Sequence, residues 1–92
     1  MIVSFQCRDT EALFGGRRIR RFSSVERVAL RKLRQLQVAA KLADLRIPPG
    51  NRLERLKGKR TGQHSIRVND QFRVCFRWTP AGATAVEIVD YH

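Results

Sequence analysis

The chain has 92 residues, of which 42% are hydrophobic, and this fits one domain of ordinary globular composition spanning residues 1–92. No apolar run exceeds three residues, which excludes a transmembrane helix, because such a helix needs about 20. The opening residues lack the charged and then apolar stretch of a signal peptide, so we expect a cytoplasmic protein with no membrane partner.

Positive charge is the dominant feature of the composition. The 19 Lys and Arg residues exceed the eight Asp and Glu residues by 11, and 15 of the 19 are arginine. The planar guanidinium suits bidentate contact with phosphate. The excess therefore favours a polyanionic partner, with nucleic acid ahead of an acidic protein and of a merely basic, soluble domain.

The first half of the chain is predicted to form a short strand and two helices. Residues 2–5 indicate the strand, and Asp9 is a candidate N-cap for a helix that reaches Phe14. The spacing of Ser23 and Glu26 is that of a capping box, and apolar residues then recur at steps of three and four as far as Leu45. These patterns predict an amphipathic helix of about five turns from Ser23 to Leu45, covering one face of a sheet.

The second half alternates with the period of two that is typical of strands. Side chains that should face one way are Phe72, Val74, Phe76 and Trp78, whereas Arg67, Arg73 and Arg77 should face the other. Turns are expected at Asn69–Asp70 and at residues 80–82, a final strand over 86–91, and a further short strand around Leu53 and Leu56. The order predicts an α+β two-layer domain with an N-terminal strand and helices packed on an antiparallel sheet of three or more C-terminal strands.

The arginines of the uncovered face are a candidate RNA-binding surface. A second candidate is the run of four arginines between the predicted helices: Arg17, Arg18, Arg20 and Arg21. A solvated bend is the alternative for that run. By contrast, His64 is expected to be structural, Cys75 to be a small buried residue and Trp78 to belong to the core.

The sequence lacks the motifs of several common classes of enzyme. The sequence has no phosphate-binding glycine loop, no His and Cys cluster with metal-ligand spacing and no nucleophile elbow, so we predict no metal and no cofactor. Metal-free RNA cleavage needs groups that move protons and cations that stabilise the phosphate. The chain offers Glu54, Asp90, Tyr91 and His92 for the first task, and Lys57, Arg67 and Arg73 for the second. The alternatives are a frayed, solvated C-terminal tail and an Arg73 that pairs structurally with Glu87.

Five segments together resemble the RelE/HigB superfamily of toxins from bacterial toxin–antitoxin pairs, and the HigB branch in particular. The segments are Met1–Phe5, Leu53–Gly58, Ser65–Asn69, Gln71–Phe76 and Val89–His92. The resemblance spans nearly the whole chain. It implies a microbial-ribonuclease-like fold and metal-independent cleavage of mRNA in the ribosomal A site, which would inhibit translation.

The resemblance also implies partners and site residues. It implies neutralisation by a HigA-like helix-turn-helix antitoxin, with operator DNA bound only through that antitoxin. The terminal active-site residues of the family correspond to Asp90, Tyr91 and His92, its strand arginine to Arg73 and its Leu-Lys-Gly lysine to Lys57.

The sequence departs from the family at Glu54, where HigB-type enzymes can carry an active-site histidine. A carboxylate can still act as a base, but the change points to weak cleavage, or to inhibition mainly by occupying the ribosome. The open alternatives are therefore a non-cleaving inhibitor of translation, a gyrase inhibitor like the ParE relatives, and an RNA-binding module of ribosome assembly.

Overall fold

The fold was analysed in a computed structural model, which describes residues 1–91. The helices are α1 (Arg8–Phe14) and α2 (Glu26–Val38), and the strands are β1 (Glu54–Arg55), β2 (His64–Arg67), β3 (Phe72–Thr79) and β4 (Gly82–Asp90). Short 3₁₀ turns lie at Arg20–Phe22, Leu42–Arg46, Pro49–Asn51 and Gly58–Arg60. The strands form one sheet in the order β1-β2-β3-β4, and each neighbouring pair is antiparallel, which confirms the predicted α+β class.

Both predicted turns of the meander are confirmed, and each has a side chain that stabilises it. Asn69 Oδ1 accepts hydrogen bonds from the backbone N–H groups of Gln71 (2.9 Å) and Phe72 (2.7 Å), which closes the turn between β2 and β3. The turn between β3 and β4 is closed at Thr79, whose hydroxyl donates to the carbonyl of Gly82 at 3.0 Å. Short polar turns therefore set the antiparallel register.

The helices and the sheet enclose one hydrophobic core. Its fully buried members include Leu33 and Leu36 of α2, Val74 and Phe76 of β3, and Val86 of β4. Trp78 is partly buried and packs against this core, as predicted. Within residues 1–91, no helix is long and apolar enough to cross a membrane.

The N-terminal segment is less regular than the predicted strand. It runs parallel to β4 through two isolated bridges, from Ile2 to Ala83 and from Phe5 to Val86. Between the two bridges Ala85 has a positive φ of 51°, and its N–H bonds to the Ser4 hydroxyl at 3.0 Å. This irregular backbone interrupts the ladder, so the segment pairs with the sheet without becoming a continuous strand.

The prediction of one helix from Ser23 to Leu45 was wrong at both ends. The helix α2 begins after Val25 without a side-chain cap, and Ser23 lies in the preceding turn. It ends at Val38, because the Asp44 carboxylate accepts hydrogen bonds from the N–H groups of Ala40 (2.9 Å) and Lys41 (3.0 Å). These bonds lower the pKa of Asp44 and hold residues 42–46 in a separate 3₁₀ turn.

The proposed N-cap of α1 was also wrong. Cys7 occupies the N-cap position without a side-chain bond, and Asp9 lies within the first turn. The Asp9 carboxylate instead forms an ion pair with Arg21 at 3.5 Å. A sequence rule for caps reads only local spacing, whereas here a more distant arginine contacts the carboxylate.

Candidate active site

The strand register brings Glu54, Arg67 and Arg73 onto the sheet face that the helices leave uncovered. Glu54 pairs with Ser65, Ser65 pairs with Cys75, and Arg67 pairs with Arg73. Because directly paired residues in antiparallel strands point to the same side of a sheet, these side chains share one face. We call it the open face. The predicted catalytic residue Asp90 instead pairs with the core residue Phe72 and so belongs to the opposite face.

Arg73 is a cation on the open face that is held by two hydrogen bonds. Its Nε donates to Ser65 Oγ at 2.7 Å, and its Nη2 donates to the backbone carbonyl of Arg52 at 2.8 Å. The side chain is only 12% exposed, and its Nη2 lies 3.7 Å from Glu54 Oε2. The guanidinium also lies 5.9 Å from the centre of the Tyr91 ring. Two fixed acceptors therefore orient the guanidinium between a carboxylate and a phenol.

Glu54 and Arg67 flank Arg73 on the same sheet. The Glu54 side chain is 53% exposed, so water and a ligand can both reach its carboxylate. Arg67 forms an ion pair with the exposed carboxylate of Asp70, three residues further along the chain. An RNA phosphate can compete with Asp70 for Arg67, since exposed ion pairs contribute little stability.

The end of β4 lies beside the start of β3. Asp90 pairs with Phe72, and Asp90 Oδ2 accepts a hydrogen bond from Gln71 Nε2 at 3.1 Å. The N–H of Tyr91 donates to the Gln71 carbonyl at 2.6 Å, so the backbone of Tyr91 is tied to the sheet. The alternative of a frayed tail is thus wrong as far as Tyr91, whereas His92 lies outside the described residues.

Lys57 lies two residues after β1, at the start of the 3₁₀ turn at 58–60. Its side chain is exposed, and within residues 1–91 it forms no ion pair or hydrogen bond. The structure thus leaves Lys57 accessible to an anion without joining it to Arg73.

A second ion pair, between Arg60 and Glu87, lies on another part of the open face. Arg60 Nη1 lies 3.1 Å from Glu87 Oε1, and this bond raises the pKa of Arg60. Glu87 pairs with Cys75 across the sheet, and Cys75 is fully buried, which confirms its predicted burial. Burial is the main cause that raises the pKa of the Cys75 thiol to about 11. The alternative pairing of Arg73 with Glu87 was therefore wrong, because Arg60 occupies Glu87.

The other predicted RNA-binding arginines lie away from Arg73. Arg77 is exposed, four residues along β3 and so about 13 Å from Arg73. Its guanidinium packs closely on Gly62, where a Cβ atom would lie only 2.5 Å from Nη1. The structure therefore separates the predicted RNA-binding arginines into different regions.

The arginine run follows α1 and lies on the side of the sheet that carries the core. Its four side chains are exposed: Arg17, Arg18, Arg20 and Arg21. The next residue, Phe22, is buried and packs edge-on against Phe72, with ring centres 5.9 Å apart. Arg21 also lies 4.7 Å from the centre of the Phe22 ring. This position is apart from the open face.

His64 faces away from the candidate site. It pairs with Phe76, and the two rings stack with centres 6.2 Å apart. Burial, and then the charge of Arg55, lowers the pKa of His64. The stacked ring fits a structural role, but the buried Nδ1 of His64 has no hydrogen-bond partner within residues 1–91, so the prediction of a fully satisfied histidine was wrong. Within residues 1–91, no three His, Cys, Asp or Glu side chains cluster in a way that could hold a metal ion.

Comparison with known proteins places this site in a family. Residues 14–92 match the model of the HigB-like toxin family, described as RelE-like toxins of type II toxin–antitoxin systems. The chain belongs to the HigB-like toxin family. The match covers every residue of the candidate site, from Glu54 to the end of the chain.

Two relatives agree with this membership, and a solved structure has a similar fold. Over 56 residues, 61% of the chain, it is 54% identical to Toxin HigB-1 of Vibrio cholerae and 39% identical to an uncharacterized protein of Haemophilus influenzae. These alignments span 59% and 55% of the relatives' own length. The fold is similar to a chain of the YoeB-YefM complex from Staphylococcus aureus, with a TM-score of 0.58, 16% identity, and coverage of 100% of this chain and 98% of that chain.

Two groups of this HigB-like site were missed by sequence reasoning. Ser65 lies two residues before Arg67 in an alternating strand, so its place on the open face could have been read from the period of two. The role of the Arg52 carbonyl could not be predicted in this way. Its direction depends on a left-handed backbone at a residue that is neither glycine nor asparagine.

Proposed function

We propose that this HigB-like chain is a toxin that cleaves mRNA on the ribosome without a metal ion. The observation that carries the proposal is the geometry of Arg73. Its guanidinium is oriented by Ser65 and by the Arg52 carbonyl, and an accessible carboxylate and a phenol lie beside it. A fixed cation next to groups that can move protons is what phosphate-ester cleavage without a metal requires.

Each group has a proposed role. Arg73 stabilises the charge that develops on the phosphate, and Lys57 adds a second positive charge from the adjacent turn. Glu54 takes the proton from the attacking 2′-hydroxyl, with His92 as the alternative base. Asp90 orients its neighbours at the end of β4, and Tyr91 positions the substrate or protonates the leaving oxygen.

The surrounding arginines serve binding. Arg67 lies opposite Arg73 and is the nearest candidate for a second RNA phosphate. The exposed run at residues 17–21 and Arg77 lie elsewhere, so they suit contacts with more distant phosphates of the ribosome. Their contribution to binding should weaken as the salt concentration rises, because phosphate contacts release counterions.

The proposed partners follow from family membership. An antitoxin with a helix-turn-helix domain neutralises the toxin, and operator DNA is bound through that antitoxin alone. The ribosomal A site, with its mRNA and ribosomal RNA, is the target, so the toxin acts in the cytoplasm. A net charge of +11 suits both a polyanionic target and an acidic neutralising partner.

The test is a map of mRNA 5′ ends after brief induction of the chain without an antitoxin. New 5′ ends within translated frames are expected for the wild type and should be lost in Arg73→Ala. Arg34→Ala is the matched control, since this exposed α2 arginine lies outside the site. A folded Arg73→Ala variant that produces the same cuts and arrests growth equally would overturn the assignment.

The position of Glu54 beside Arg73 favours a second candidate function, inhibition of the ribosome without cleavage. Its carboxylate already lies 3.7 Å from Arg73, so a phosphate must compete with it for the guanidinium. If the chain only binds, the wild type will arrest growth without new 5′ ends, and Glu54→His will create them. If Glu54 is the base, Glu54→Gln will abolish the cuts while ribosome binding persists.

A further inference from the structure

A buried polar network connects α2 to the candidate site. Lys32 is only 7% exposed, although it is a lysine on a surface helix, and its Nζ donates to Asn51 Oδ1 at 2.6 Å. Asn51 is completely buried. Because a charged amine is costly to bury, a lysine in this position calls for a physical reason.

Asn51 fastens two separate segments to each other. Its Nδ2 lies within hydrogen-bonding distance of Gln35 Oε1 (3.0 Å) and of the carbonyls of Leu45 (3.1 Å) and Ile47 (3.4 Å). Its Oδ1 accepts from Lys32. One amide side chain therefore joins α2 to the segment that leads into β1.

The residue after Asn51 connects this network to the open face, because its carbonyl contacts Arg73. Arg52 adopts a left-handed backbone, with φ 46° and ψ 56°, which is uncommon for a residue with a Cβ atom. The direction of its carbonyl follows from these angles, and that carbonyl accepts the 2.8 Å bond from Arg73 Nη2. The surroundings must hold such a conformation in place, and Asn51 is the anchored residue immediately before it.

We propose that Lys32 and Asn51 are positioning residues for Arg73, acting through the backbone carbonyl of Arg52. Asn51 holds the left-handed turn, Lys32 holds Asn51, and the Arg52 carbonyl fixes one nitrogen of the guanidinium while Ser65 fixes another. The network touches no substrate group. It limits the orientations of the Arg73 side chain. A site that depends on one cation needs such support, because that cation must be held in the productive geometry.

The charges around Lys32 agree with a positioning role. Burial, and then the neighbouring charges of Arg31 and Arg67, lowers the pKa of Lys32. The ammonium thus lies among like charges, and the only hydrogen bond that its side chain makes within residues 1–91 is to Asn51. Losing Lys32 should therefore remove one of the restraints on Asn51, the bond to its Oδ1, without breaking another hydrogen bond of the Lys32 side chain.

The experiment compares Lys32→Met with Arg31→Met. Both remove one positive charge from adjacent positions of α2, but Arg31 is exposed and makes no contact with Asn51. The first readout is the NMR signals of the Arg73 guanidinium, whose Nε–H and Nη protons report its two hydrogen bonds. We expect Lys32→Met to speed proton exchange at Nη by tenfold or more, and Arg31→Met to leave it unchanged.

The second readout is cleavage, and it rests on the proposed function. In single-turnover cleavage on programmed ribosomes, Lys32→Met should lower the rate constant about tenfold while the Kd for the ribosome changes less than twofold. If the wild type does not cleave, the proposed function fails, but the NMR readout still tests the positioning. The positioning is overturned if a folded Lys32→Met keeps the wild-type Arg73 signals, or if Arg31→Met alters them equally.

Two further variants separate positioning from general stability. Gln35→Ala removes one partner of Asn51 from a half-buried position, and it should shift the Arg73 signals in the same direction by a smaller amount. Gln35→Ala also replaces Lys32→Met as the test of the network if Lys32→Met does not fold. Leu13→Ala weakens the core at α1 and should lower Tm without changing the Arg73 signals. Equal changes in Leu13→Ala would mean that the network is merely structural.

Discussion

The open face carries two arginine–glutamate pairs that differ in geometry and exposure. Arg60 and Glu87 lie 3.1 Å apart, with side chains that are 33% and 23% exposed. Arg73 and Glu54 lie 3.7 Å apart, with side chains that are 12% and 53% exposed. In the first pair a hydrogen bond joins the two charged groups. In the second pair Arg73 donates its hydrogen bonds to Ser65 and to a backbone carbonyl, so neutral groups rather than the carboxylate orient its charge.

The difference shows how one sheet face can hold both a structural pair and a site. Arg60 comes from the 3₁₀ turn at 58–60, which brings it to Glu87 next to the buried Cys75. Arg73 lies within β3 and is oriented by neutral acceptors, which fix its direction without cancelling its charge. Substitutions at Arg60 should therefore affect stability, and substitutions at Arg73 should affect activity.

The largest expected effect is on activity, from the same conservative change in both pairs. Lysine keeps the charge but cannot donate to Ser65 and to the Arg52 carbonyl as a fork does. We expect Arg73→Lys to lower single-turnover cleavage on programmed ribosomes by about tenfold or more, and Arg60→Lys to stay within about threefold. Equal losses in the two variants would contradict the distinction between the pairs.

Loss of one acceptor should have a smaller effect on activity. Ser65→Ala removes the bond to Arg73 Nε and leaves the bond from Nη2 to Arg52. A neutral hydrogen bond contributes about 1 kcal/mol, which corresponds to roughly a fivefold lower rate constant. The same cleavage assay measures it, with urea unfolding as the check that the fold is kept. An unchanged rate would mean that the carbonyl alone orients Arg73.

The pair of Arg60 and Glu87 should affect stability instead of activity. Arg60→Ala leaves Glu87 half-buried and without its partner, and we expect a loss of about 1–2 kcal/mol in the free energy of unfolding. Lys59→Ala, at an exposed neighbouring position, should change it by less than about 0.5 kcal/mol. Urea denaturation of both variants gives the comparison. A loss no larger for Arg60→Ala than for Lys59→Ala would show that the pair is not structural.

A separate effect on stability is the pH dependence due to Cys75. Its pKa is about 11 in the folded protein, above the usual 9.0, so the unfolded chain loses this proton first as pH rises. Stability should therefore fall between pH 9 and about 11, and Cys75→Ala should remove that part of the decline. At pH 8 iodoacetamide should modify the half-buried Cys7 and spare Cys75, and equal reaction at both would contradict the burial.

Much of the fold could be predicted because it depends on local patterns. The period of two in residues 72–78 defined β3 and its buried side, and the turn-forming residues at 69–70 and 80–82 marked its ends. The helix boundaries failed where a distant or competing side chain acted. Asp44 ended α2 by binding the backbone of Ala40 and Lys41, in a capping-box contact that competes with the helical periodicity of this segment.

The residue types supply the chemical groups of this protein: an excess of arginine, the carboxylate at Glu54 and the terminal acid and phenol. Which arginine is oriented by neutral acceptors and which is bound to a carboxylate depends on the tertiary structure. Arg60 and Arg73 are alike as residues, and each has a glutamate within reach. They differ because a 3₁₀ turn carries Arg60 to Glu87, whereas the left-handed Arg52 turns a carbonyl toward Arg73. Both are long-range backbone placements, and local spacing does not encode them.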